Sequence, residues 1–114
     1  MNRHSLLIRN WIGKETDWDQ KDNAEAFLKE FVTKLEPNAQ VKVTDEKKFS
    51  NDYYTVHLSI QGKQTTISVS WGELINCNSL DLRGAEKSQK QLAETVRCAL
   101  GEITRKHRKL GFLK

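Results

Sequence analysis

The chain is short of proline and cysteine and has no long apolar run, and each shortage narrows what it can be. Pro37 is the only proline in 114 residues, so no proline-rich linker or extended recognition segment is encoded. Cys77 and Cys98 stand far apart, and two cysteines make no disulfide framework. A zinc site needs about four ligands at close spacings, and His4, His57 and His107 pair with neither cysteine in that way. No cofactor or metal is expected. No stretch approaches the roughly 18 apolar residues of a membrane span. "LLI" at Leu6 to Ile8 is too short for the apolar region of a signal peptide. The expected setting is cytoplasmic, without membrane contact. A glycine-rich phosphate loop, paired carboxylates and a nucleophile elbow are also missing, so no enzymatic activity is expected.

What is present suits one small domain. A length of 114 residues, 37% hydrophobic and 30% charged, is enough chain for a core without staples. The domain is read as residues 1–114, with 1–16 an N-terminal extension and 17–110 the core. The net charge of +4 leans basic and is unevenly spread. The final "RKHRKLGFLK" carries lysines and arginines and no acid, whereas "TDWDQKDNAEAFLKE" near the start is acidic.

Hydrophobic periodicity places the elements. Residues Arg3 to Lys14 fit a strand or a short helix. A helix is expected from about Asp17 to Glu36, with Thr16 as cap and Asp19 three residues on. Ala24, Phe27, Leu28, Phe31, Val32 and Leu35 form its apolar stripe, and Pro37 ends it. Asp22, Glu25, Glu30 and Glu36 fall on its outward face, with Lys29 and Lys34 among them. Three strands follow, "AQVKVT", "YYTVHLSI" and "KQTTISVSW". Their period-two alternation predicts a sheet covered on one side. Tyr54, Val56, Leu58, Ile67, Val69 and Trp71 are expected on the apolar face, and Gly62 in the hairpin turn between the last two strands. "GELINCNSLDLR" is too apolar for a free loop and too irregular to assign.

The last helix is expected from near Gly84 to Leu110, with Gly111 stopping it. Ala85, Leu92, Val96, Leu100 and Ile103 share one arc, which Gln89 joins. Lys87, Lys90, Glu94, Arg97, Arg105 and Arg108 lie opposite, and Cys98 falls near the edge of that outer face. The fold class is therefore α+β, an α-β-β-β-α two-layer sandwich with both helices on one face of a three-stranded antiparallel sheet.

This order, with "YYTVHLSIQGKQ" across the second strand and turn and "GAEKSQKQLAETVRCAL" opening the last helix, resembles the double-stranded RNA-binding domain over roughly residues 20 to 105. The resemblance implies a module that reaches across two minor grooves while lysines at the start of the last helix grip the phosphates between them. Ser88, Gln89 and Lys90 stand where that family has serine and two lysines. "EKKFSND" stands where it has a glycine-proline-histidine loop, the first helix is acidic outside, and the connector before the last helix is longer.

Three functional readings follow. The first is a non-catalytic module for duplex RNA or other structured nucleic acid. Its contacts would be Lys87, Lys90, Arg97, Arg105 and Arg108, with Lys47 and Lys48 in the strand-connecting loop. The second is a small protein-binding inhibitor or adaptor, and the third is homodimerisation through "GELINCNSLDL" and "SLLIRNWI". The ordinary reading of each basic residue competes with the first. Charged residues usually occupy solvated faces, cations near a helix C-terminus suit the dipole, and Lys47 and Lys48 sit beside Asp45 and Glu46. His57 is expected as an exposed strand histidine, and Trp11, Trp18 and Trp71 as cover for the core.

Overall fold

Two apolar helix stripes and one apolar sheet face have to meet, and in the computed structural model they do so in two layers. The structure describes residues 6–44 and 52–104. Its elements are α1 (Lys21–Leu35), β1 (Gln40–Thr44), β2 (Tyr53–Ile60), β3 (Lys63–Ser70), α2 (Trp71–Cys77) and α3 (Leu82–Thr104). The three strands form one antiparallel sheet in the order β1-β2-β3. Val41, Val43, Tyr54, Val56, Leu58, Ile60 and Val69 are buried on one sheet face. Phe27, Leu28, Phe31 and Val32 of α1 and Leu92, Ala93, Val96 and Leu100 of α3 cover them. Ile67 packs against this core but is only half-buried.

The start of α1 differs from the expected Asp17. Residues Asp17 to Gln20 form a turn, in which the Gln20 N–H donates to the Asp17 carbonyl at 3.2 Å. Trp18 is drawn into the core, where its ring lies 5.6 Å from that of Phe27 and 5.6 Å from that of Trp11. The Tyr54 hydroxyl donates to the Trp18 carbonyl at 2.6 Å. That carbonyl is thus committed to the sheet rather than to a helix. The Thr16–Asp19 cap does not form, and Gln20 is the N-cap, without a side-chain bond.

The β2–β3 turn is tight as expected, with Ile60 opposite Lys63. Both turn residues take positive φ, 54° at Gln61 and 76° at Gly62. This is the hairpin geometry that matches the twist of the flanking strands.

The third strand stops one residue early, and Trp71 belongs to α2 rather than to the sheet. Ser70 accepts from the Glu73 N–H at 3.0 Å, while the Glu73 carboxylate accepts from the Ser70 N–H at 2.9 Å. This reciprocal capping box fixes the strand-to-helix corner. Leu74 and Cys77 of α2 are buried. The unassigned segment is thus a short helix and a turn, and α3 begins at Leu82, two residues before Gly84.

Residues 6–20 hold no helix or strand, yet they belong to the core. Ile8 is buried. The Trp11 indole N–H donates to Glu30 at 3.0 Å, and Asn10 donates to the same carboxylate.

Candidate functional site

The basic side of α3 is built by helix geometry. At 100° per residue, Arg83, Lys87, Lys90, Glu94 and Arg97 fall within an arc of about 80°. All five are exposed. From Arg83 to Arg97 the stripe runs about 21 Å at 1.5 Å per residue. Four cations against Glu94 within the arc, with Glu86 about 20° beyond its edge, leave it positive. None of the five is held in an ion pair among the described residues. Arg83 lies outside the helix expected from near Gly84 and joins the stripe because α3 begins at Leu82. The signal available was "SLDLR", a serine and an aspartate ahead of an apolar-periodic run.

Lys87, Lys90 and Arg97 stand where the sequence placed them, on one outward stripe. Lys47, Lys48, Arg105 and Arg108 lie outside the described residues, so the structure brings nothing to or from them.

The helix N-terminus contributes less than its dipole suggests. A Cβ on Gly84 would lie 3.1 Å from Asp81 Oδ2, so the chain's own carboxylate is folded over the first turn. An anion at that end is favoured by the dipole and the free N–H groups, and Asp81 already supplies one. Any phosphate contact therefore rests on the side chains of the stripe.

Between Lys90 and Arg97 the helix flank opens into a hollow of about 480 Å³. Leu7, Gln89, Ala93 and Glu94 line it together with the two cations. The position of Leu7 is set by Gln89, which is 1% exposed. Its Oε1 accepts from the Leu7 N–H at 2.8 Å and the Ile8 N–H at 3.3 Å, and its Nε2 donates to the Ile8 carbonyl at 3.0 Å and the Cys77 carbonyl at 2.9 Å. The residue standing in place of a lysine is thus a core strut that seats one wall of the hollow.

The acidic side of α1 is also partly structural. Glu30 holds the Asn10 and Trp11 side chains, and Glu25 accepts from the Val43 N–H at 2.9 Å. Two of the four carboxylates read as an outward acidic face are therefore engaged with neighbouring segments.

The sheet face away from the helices, which no described element covers, presents Gln40, Lys42, Thr44, Thr55, His57, Ser59, Gln64, Thr66 and Ser68. Thr44 Oγ1 and His57 Nε2 lie 3.2 Å apart. His57 is half-buried rather than freely exposed. Among the described residues, Tyr53, Ile75 and Leu80 are the exposed large apolar ones, with Leu80 at 78% and Ile75 at 54%.

Cys77 is buried, and that burial, followed by the charge of Glu73, pushes its thiol up to about 12. Such a thiol is inert near neutrality. Among the described residues no group of three His, Cys, Asp or Glu side chains is gathered to hold a metal. Among them too, no helix is long and apolar enough to cross a membrane. Comparison with protein-family models, curated proteins and solved structures finds no match.

Proposed function

We propose that the protein is a non-catalytic binding module for structured nucleic acid, with duplex RNA the favoured ligand. The observation that carries this reading is the stripe of Arg83, Lys87, Lys90 and Arg97, four exposed cations along one side of α3 with no ion pair among the described residues. A row of fixed positive charge matches a phosphate backbone, whose neutralisation releases counterions and supplies most non-specific affinity. The α-β-β-β-α order supports the reading because it holds such a helix on a sheet, with its outer side exposed among the described residues. Glu94 within the stripe and Gln89 in the core keep the charge below that of a full lysine cluster, so affinity is modest.

A salt-series binding assay against duplex RNA, duplex DNA and single strands tests this. Affinity for the duplex should fall steeply with salt, with a log-log slope of about −0.9 per phosphate contact for B-form DNA. The double variant K87A/K90A should bind more weakly and flatten the slope by about two units, one for each lysine that no longer neutralises a phosphate. Absence of binding, or binding without salt dependence, rejects the reading.

The second reading is a protein-binding adaptor or inhibitor. Its supporting observation is the exposure of Ile75 and Leu80 on the α2 side, in a segment too apolar for a free loop. For homodimerisation through "GELINCNSLDL" and "SLLIRNWI", Ile75 and Leu80 of the first segment are exposed, whereas Ile8 of the second is buried in its own core and Trp11 packs against it.

A further inference from the structure

The two edges of the sheet are finished differently. β1 is the other edge, five residues long among the described ones. It carries Lys42, and the Glu25 carboxylate occupies its outward Val43 N–H. Charge and a covering group are ordinary defences of an edge strand. β3 has eight residues, and among the described residues such defences stand only at its ends, in Lys63 and in the Glu73 carboxylate on the Ser70 N–H. From Gln64 to Ser70 it holds no charge, no proline and no glycine. It pairs with β2 residue for residue, without a bulge, from Lys63 to Ser70.

Hairpin geometry says which groups are free. In a two-residue turn the closing pair, Ile60 and Lys63, is hydrogen-bonded, so alternate residues bond inward. Thr65, Ile67 and Val69 face β2 with their backbone groups, whereas Gln64, Thr66 and Ser68 turn theirs outward. The Ser70 N–H, next in that outward series, is taken by Glu73. Among the described residues no hydrogen bond reaches the outward N–H groups of Gln64, Thr66 or Ser68.

We infer that β3 is a self-association edge, pairing antiparallel with β3 of a second copy about a two-fold axis at Thr66. An isologous interface needs a patch complementary to itself, and this strand is one. In that register Thr66 faces its own copy, Gln64 faces Ser68, and each such pair exchanges two backbone hydrogen bonds. No like charges meet, because the two Lys63 residues lie at opposite ends of the seam. On the core face, Thr65 stands opposite Ile67 of the second copy. The cross-strand pair of β-branched side chains covers the half-buried Ile67, a favourable contact in sheets. The product is one continuous six-stranded sheet with the α3 stripe still exposed on each copy.

The experiment is a sedimentation and light-scattering series on the full chain, with two variants. The parent should approach twice the 13.2 kDa chain mass as concentration rises. In T66P, proline removes an outward N–H that β2 does not use, a placement edge strands tolerate. It should remain folded by circular dichroism and stay monomeric. In a C98S background, T66C should crosslink with itself under mild oxidation, since directly paired Cα atoms at about 5.5 Å lie within disulfide reach. A parent that is monomeric at every concentration overturns the inference. So does a dimer that survives T66P or fails to crosslink through position 66. Should T66P fail to fold, the T66C crosslink decides alone.

Discussion

The Gln89 carboxamide is hydrogen-bonded to both backbone groups of Ile8, accepting from its N–H at 3.3 Å and donating to its carbonyl at 3.0 Å. A side chain on α3 thereby substitutes for the strand that would otherwise satisfy the segment around Ile8. The remaining bonds to Leu7 and Cys77 make the same amide a junction of three segments distant in sequence.

Gln89→Ala should destabilise the fold by about 2–4 kcal/mol, because it strands buried backbone groups at about 1–3 kcal/mol each while some recover water. Gln89→Lys should cost more, since an unpaired ammonium would be buried. Urea denaturation measures both. Amide exchange should show Ile8 opening first in the alanine variant. A loss below about 0.5 kcal/mol, the range of ordinary surface changes, contradicts the strut role.

The hairpin carries a local conflict. Gln61 sits at a φ of 54°, a left-handed conformation that costs an L-residue roughly 1–2 kcal/mol and that asparagine tolerates better. Asn-Gly is also the preferred pair for a turn with two positive φ angles. Gln61→Asn should therefore raise stability by several tenths of a kcal/mol, up to about 1. An unchanged denaturation midpoint would show that the strain is relieved in some other way.

Cys77 gives the protein an alkaline weakness. Its thiol is raised from 9.0 to about 12 in the fold, so between those values the unfolded chain releases a proton that the folded chain keeps. Stability from this residue is full below pH 9 and falls as pH rises towards 12, by at most about 1.4 kcal/mol per unit. Cys77→Ala should flatten that alkaline decline even though it leaves a small cavity. At neutral pH a thiol reagent should modify exposed Cys98 rapidly and Cys77 only after unfolding. Equal rates in the native protein would place Cys77 outside the core.

The sequence made the alternation of β2 and β3 and the inward turn of Gln89 legible, because period two and period 3.6 are direct consequences of backbone geometry. It hid α2, because the strand alternation runs smoothly through Ser70 into Trp71 and masks the serine and glutamate of the capping box. The N-terminal segment was opaque for another reason. Its hydrogen bonds go to Gln89 and Glu30, partners that no local pattern announces. The basic stripe was legible in position. Its meaning rests on what neighbours leave unpaired, which only the packing of α1, α3 and the chain start decides.

Glu94 is the one acid within that stripe, and it provides a test of opposite sign to alanine substitution. It is exposed and unpaired among the described residues, so Glu94→Lys should change stability by no more than about 0.5 kcal/mol. If the stripe follows a phosphate backbone, removing repulsion and adding a cation between Lys90 and Arg97 should strengthen duplex binding. The salt slope should steepen by about one unit for a new phosphate contact. Glu94→Gln should give a smaller gain with little change of slope, because it removes repulsion without supplying a cation. Equal affinity for parent, Glu94→Gln and Glu94→Lys would mean that the ligand does not lie along this side of α3, however strongly the protein binds elsewhere.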